Sequence, residues 1–185
     1  MIKSKFKPPY WYHDNIKFSN NDIKKLKKIL LDGEYKNKDT EEHKTSYHYN
    51  PESRPDAFLN IHYKDIIEDI TKKIGVYYLS NYDYFYWSQL YQINGYHAPH
   101  NHANKSPDKI IESPDISWVH FLDVPEQKCF RFTDTKGNTL TPVEQLSGDI
   151  ICFPSWVWHE VVPLATNYQR LVVAGNINFT SHDIL

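Results

Sequence analysis

A β-sandwich or jelly roll is the fold this sequence predicts, on three observations. From residue 82 onward the chain is a series of short β-type runs, Gly, Asn and Asp turn signals punctuate them, and no helical periodicity interrupts the series. The runs cover residues 82–93, 116–124, 128–133, 149–153, 159–164 and 169–179, with turn signals at Asn94-Gly95, at 134–138 and at Ser147-Gly148-Asp149. A parallel α/β sheet would need helices between its strands, and the pattern supplies none there.

Helices are predicted only before residue 82. Ser19 with Asp22 resembles a capping box; Ile23, Leu26, Ile29 and Leu30 then form one apolar stripe over 19–31, and Gly33 ends it. A second helix over 63–74 carries the stripe Tyr63, Ile66, Ile67, Ile70 and Ile74 and stops at Gly75. Between them, 33–55 is polar, charged and without period, the pattern of a surface loop. The expected arrangement is a single domain over 1–185, with a jelly-roll core at about 82–180 and a helical N-terminal elaboration, 1–81, packed on one outer face.

Composition removes several function classes. With 21 basic and 23 acidic side chains the formal charge is −2, so no global field draws the chain to nucleic acid or to an anionic membrane. Lys24, Lys25, Lys27 and Lys28 cluster on the polar side of the first predicted helix and read as a solvated face. Cys129 and Cys152 are too few for a disulfide framework or a cysteine-based zinc module. No apolar secretory segment follows Met1, and no stretch reaches the roughly 18–20 apolar residues of a membrane span, so a cytoplasmic protein is expected. The 14 Tyr and 5 Trp suit sheets and half-buried pockets without naming a ligand.

Chemistry concentrates in the histidines. His97, His100 and His102 fall in one six-residue window and His159 lies 57 residues past His102. On an extended chain the imidazoles of His100 and His102 share a face, and a jelly roll can bring His159 beside them. Three facial ligands leave three positions of an iron(II) ion open for a chelating cosubstrate and dioxygen, which makes an iron-dependent oxygenase the first hypothesis. Arg170, eleven residues beyond His159, offers a planar fork to a carboxylate in the barrel mouth. His97, off the His100 face, suits a neighbouring or substrate role. His120 lies on a predicted strand, where a satisfied core histidine and a site residue are both open. Trp156 and Trp158 flank the approach to His159, with core packing favoured over substrate stacking for at least one of them, and 103–115 is either a lid or a plain connection.

The stretch 87–176 resembles the catalytic core of a family of 2-oxoglutarate and iron(II)-dependent oxygenases common in bacterial and phage genomes. The matching pieces are Trp87, Gly95, His100-Asn101-His102, Asp123-Val124-Pro125, Gly148-Asp149, Phe153-Pro154-Ser155-Trp156, His159, Arg170 and Asn176. The resemblance implies a double-stranded β-helix, a kind of jelly roll. It implies that His100, His102 and His159 hold iron, that Arg170 pairs with the distal carboxylate of 2-oxoglutarate, and that Asn176 belongs to the cosubstrate region. It further implies that dioxygen would take the last open position and that the reaction would be a hydroxylation or related oxidation of a peptidyl side chain or small molecule. Two positions depart from the family. Its usual carboxylate ligand is replaced by His102, with Asp108 as the alternative acid. Its frequent serine two residues past the arginine is Val172, so that another hydroxyl, such as that of Tyr91, must serve.

Two other readings fit the same residues: a cupin-like metal-binding module or isomerase that uses three histidines without 2-oxoglutarate, and a non-enzymatic sandwich that binds a partner protein. Oligomeric state is open, a homodimer included.

Overall fold

The computed structural model describes residues 6–33, 42–49, 54–74, 81–103, 114–164 and 167–180, apart from the side chain of Thr180. Helix α1 (Asn20–Asp32) begins where the capping pattern predicts: Ser19 Oγ accepts from the Asp22 amide at 3.1 Å and donates to the Asp22 carboxylate at 2.7 Å. Helix α2 (Asn60–Lys73) grows directly out of a 3-10 turn at Ala57–Leu59 and so starts three residues before the predicted boundary. Its buried stripe is Tyr63, Ile66, Ile67 and Ile70. No helix among the described residues is long and apolar enough to cross a membrane.

The described strands are β1 (Trp11–Asn15), β2 (His43–Thr45), β3 (Asn81–Tyr91), β4 (His97–His100), β5 (Ile116–Asp123), β6 (Phe130–Thr133), β7 (Thr139–Leu140), β8 (Asp149–Pro154), β9 (His159–Val161) and β10 (Arg170–Thr180). They form two antiparallel sheets, one of six strands in the order β1-β8-β5-β10-β3-β2 and one of four in the order β4-β9-β6-β7. Strands β1, β2, β4 and β7 are not among the predicted runs, and β2 lies in the stretch read as a loop. Each is short and lacks an alternating apolar run; β2, His-Lys-Thr, is a strand because it pairs with β3, an interaction that local sequence does not encode. Residues before 81 thus supply both edges of the larger sheet besides the helices. Pro99 sits in β4, an edge strand, where a missing N–H costs no ladder bond.

Side-chain alternation sorts the larger sheet into two faces. Tyr86, Leu90, Ile116, Trp118, Leu122, Ile150, Cys152, Leu171, Val173 and Ile177 join the buried residues of both helices in one cluster. The intervening positions Trp87, Tyr91, Val119, Phe121, Ile151, Phe153, Val172 and Ala174 join Phe130 and Phe132 of the smaller sheet in another. Gly175 is required at the centre, because a Cβ there would lie 2.4 Å from the Trp118 ring. At the predicted turn 147–149, Gly148 adopts φ 100°, a conformation open to glycine.

His120 belongs to the helix-side face. Its Nε2–H donates to the Ile16 carbonyl at 2.7 Å, so its Nδ1 lone pair accepts from Tyr63 Oη at 3.0 Å. Burial, ahead of the opposing hydrogen bond to Ile16, lowers its pKa to about 4. The sequence left a site role open for it; the structure makes it a satisfied core histidine with its sheet between it and the other face. Below pH 6.5 an unfolded chain protonates this ring while the folded chain does not, so stability falls as pH falls from 6.5 to 4. His120→Gln, which keeps polar partners but does not titrate, is expected to remove about 3 kcal/mol of the pH 7-to-4 loss in urea unfolding. An unchanged pH profile would contradict this assignment.

Candidate metal centre

Three imidazoles converge between the sheets. His100 and His159 are cross-strand partners in the β4–β9 pair, with ring centroids 4.3 Å apart. His102, just past β4, is fixed by its amide N–H to the Ser155 carbonyl at 2.9 Å, which ties it to the turn after β8. One ring nitrogen from each of His100, His102 and His159 lies within 4.8 Å of the other two, close enough to share an ion. Among the described residues no carboxylate joins this group, and Asp108 lies outside them.

The hydrogen bonds decide which nitrogen is available for coordination. Nδ1 of His100 meets the Ala98 carbonyl at 2.8 Å, Nδ1 of His159 meets the Val157 carbonyl at 3.0 Å, and Nδ1 of His102 meets Asn176 Oδ1 at 2.7 Å. A carbonyl oxygen only accepts, so each Nδ1 carries the proton and each neutral ring keeps its lone pair on Nε2. Ser117 Oγ extends this support: it stands 3.0 Å from His102 Nδ1, 2.8 Å from Asn176 Oδ1 and 2.9 Å from Ser155 Oγ. Burial first, then the neighbouring imidazoles, lowers the pKa of His102 to about 4 and that of His159 well below the usual range. Both are therefore neutral at pH 7, the form that binds a metal.

Along β3 and β10 the inward face forms a ladder of cross-strand pairs on either side of this centre: Tyr91 with Arg170, Gln89 with Val172, Trp87 with Ala174, Phe85 with Asn176, and Asp83 with Asn178. The first three rungs line a narrow cavity of mostly buried residues that reaches from the triad to Arg170. Arg170 is 3% exposed; its Nη atoms donate to the Val162 and Gly95 carbonyls, its guanidinium lies 4.9 Å from the Tyr91 ring centroid, and its Nε is buried without a partner. No carboxylate pairs with it among the described residues. Tyr91 Oη donates to Gln89 Oε1, and the Tyr91 ring stacks on His43 at 4.0 Å.

The remaining rungs line a roomier cleft on the other side of the triad, shared with His97. His97 stacks on His100 at 4.0 Å, and burial, then the charges of its imidazole neighbours, lowers its pKa to about 2. Trp156 is 59% exposed at the turn after β8, lines neither cavity, and touches the site through its carbonyl, which accepts from Asn101 at 3.4 Å. Asn176, expected near the cosubstrate, is instead bonded to His102. Of the proposed lid 103–115, residues 104–113 lie outside those described. Ser117, Ser155, Gln89 and His43 were missed by sequence reasoning. The period of β3 could have found Gln89, two residues from both Trp87 and Tyr91; His43 sat in an apparent loop and left no signal.

Fold and site together define a two-sheet β-protein with a three-histidine candidate metal centre at its mouth. No family model and no curated protein matches the sequence. Among solved structures, the chain is similar to a prolyl-4-hydroxylase of Pseudomonas putida at 16% identity and TM-score 0.63, over 93% of either chain. It is similar to HygX of Streptomyces hygroscopicus, solved with nickel and 2-oxoglutarate, at 12% identity and TM-score 0.63 over 92% of this chain and 83% of that one. A third is SnoN, a non-heme α-ketoglutarate-dependent epimerase of nogalamycin biosynthesis, at 14% identity and TM-score 0.62 over 91% of this chain and 76% of that one. The fold is thus the jelly roll of 2-oxoglutarate/Fe(II) oxygenases, the double-stranded β-helix that the sequence resemblance implied.

The support of His102 generates a direct test. Asn176→Ala or Ser117→Ala is expected to weaken nickel(II) binding roughly 10- to 100-fold in a chelator competition, and His159→Ala to weaken it further. Unchanged affinity in all three variants would remove the triad as a metal site.

Proposed function

We propose that this chain is an iron(II)- and 2-oxoglutarate-dependent oxygenase, a hydroxylase of a peptidyl side chain or a small molecule. The observation that carries the reading is the pairing of two features in one cavity: three imidazoles with Nε2 lone pairs at one end and, at the other, a buried guanidinium that no carboxylate among the described residues pairs with. A buried, unpaired positive charge is costly, and a carboxylate entering that cavity would relieve the cost through a planar two-point contact.

In this reading His100, His102 and His159 hold the metal, and Asn176, Ser117 and the two backbone carbonyls keep the rings in the ligating tautomer. Arg170 takes the distal carboxylate. Across from it, the Tyr91–Gln89 pair provides the polar contact that Val172 cannot. Trp87, Val119 and Phe153 wall the cavity and exclude water from the reacting centre. When bound, iron(II) with the keto acid and dioxygen supplies oxidation of a C–H bond coupled to decarboxylation of 2-oxoglutarate to succinate.

That no carboxylate among the described residues joins the triad favours a second reading, a cupin-like site that holds zinc, nickel or manganese on three histidines and takes no 2-oxoglutarate. Anaerobic titration separates the two. Iron(II) plus 2-oxoglutarate is expected to give a weak visible charge-transfer band, and Arg170→Ala to raise the 2-oxoglutarate concentration needed for it about thirtyfold or more. Metal binding without the band supports the cupin reading, and no metal binding supports the interaction module.

Because SnoN is an epimerase, oxygen incorporation is the measurement that tests hydroxylation. Once a substrate is found by succinate release, label from dioxygen is expected in the product, and His159→Ala is expected to abolish succinate formation while leaving the far-UV spectrum unchanged. Succinate released without labelled product would replace the hydroxylase by another oxidation.

A further inference from the structure

The cleft on the substrate side of the triad has a chemistry opposite to that of the cavity on the other side. Moving outward along β3, the centroids of His102 and Trp87 are 5.6 Å apart and those of Trp87 and Phe85 are 5.7 Å apart. Tyr47, half exposed, stands edge-on to both at 5.1 and 5.8 Å, so aromatic rings form a continuous wall from the metal centre toward solvent. That wall ends at the rung of Asp83 and Asn178. Asp83 is exposed, and Asn178 Oδ1 is buried without a hydrogen-bond partner. No Lys or Arg is among the described residues that line the cleft. Arg54 packs behind Phe85 at 5.0 Å, but its charge is neutralised by two hydrogen bonds to the buried Asp56 carboxylate.

These features ask for one kind of occupant. Aromatic faces accept an aliphatic chain or a cation, a carboxylate and an orphan amide oxygen accept N–H donors, and an anion finds no Lys or Arg along this wall among the described residues. Four residues of strand put Asp83 roughly 13 Å along β3 from Trp87. A donor held at the rim therefore leaves the far end of an aliphatic chain beside the triad. We propose that the prime substrate is an amphipathic amine, an ammonium group on an aliphatic chain, bound with its nitrogen at Asp83 and Asn178 and its carbon chain laid along Phe85 and Trp87 toward the metal centre. This inference rests on the triad being the oxidising centre of the proposed oxygenase.

The test uses n-hexylammonium and n-hexanol, equal in chain length and different in charge, with manganese(II)-loaded protein and 2-oxoglutarate, read by paramagnetic broadening of the probe's proton signals. Hexylammonium is expected to bind about tenfold more tightly than hexanol, with its terminal methyl broadened more than the methylene next to nitrogen. Asp83→Asn is expected to erase most of that preference, and Asn178→Asp to increase it, while the iron(II)–2-oxoglutarate band stays as in the unsubstituted protein. Equal binding of the two probes, a reversed broadening gradient, no broadening of either, or indifference to both substitutions would overturn the proposal. Loss of the band with the amine preference intact would overturn the oxygenase reading instead.

Discussion

Strict alternation of side chains across the six-stranded sheet is the constraint from which the other features follow. Odd positions of β3, β5 and β8 and even positions of β10 face the second sheet; their neighbours face the helix-side cluster. A one-residue slip of any of these strands would exchange the two sets, sending Arg170 and Asn176 away from the histidines and His120 toward them. Apolar burial on both faces makes such a slip prohibitive. The placement of the chemistry is therefore maintained by the same packing that stabilises the sheet, and Gly175 under the Trp118 ring shows how closely that packing fits.

Much of this could be read from the chain. The alternating runs gave β3, β5, β8 and β10 with errors of a few residues, and the histidine spacing singled out the three rings that converge. What escaped reading depends on partners distant in sequence. His43 is polar, sits among Lys and Glu, and becomes a strand residue only through β3. For Asn176 the family resemblance implied a place in the cosubstrate region; its register opposite Phe85 puts it against His102. Ser117 looked like any strand serine until β5 and β10 brought it within reach of both. His120 was ambiguous for a different reason, since alternation assigns a face but does not say which face holds the site.

Among the described residues three imidazoles and no carboxylate make up the centre, so an ion held there would keep its full positive charge, softened only by the dipoles behind the rings. A carbonyl behind His100, another behind His159 and the Asn176–Ser117 pair behind His102 each pull on an Nδ1 proton and make Nε2 a stronger donor. The interior face carries a second charge pattern along its length. A guanidinium closes one end and a carboxylate opens the other, with aromatic and aliphatic rungs between them. Two small molecules of opposite polarity could thus meet at the histidines without exchanging places.

Strand order also constrains how the molecule comes to exist. β10, the last of the described strands, lies between β5 and β3 at the middle of the larger sheet, while β1, the first described, pairs with β8 at its rim. Until residues 170–180 have left the ribosome, β1-β8-β5 and β3-β2 are separate fragments with open edges and no common centre. Folding is thus dominated by pairings distant in sequence and is slow relative to helical proteins of this size. A chain that stops before β10 would leave two incomplete half-sheets, and a nascent chain in that condition is a natural client for chaperones.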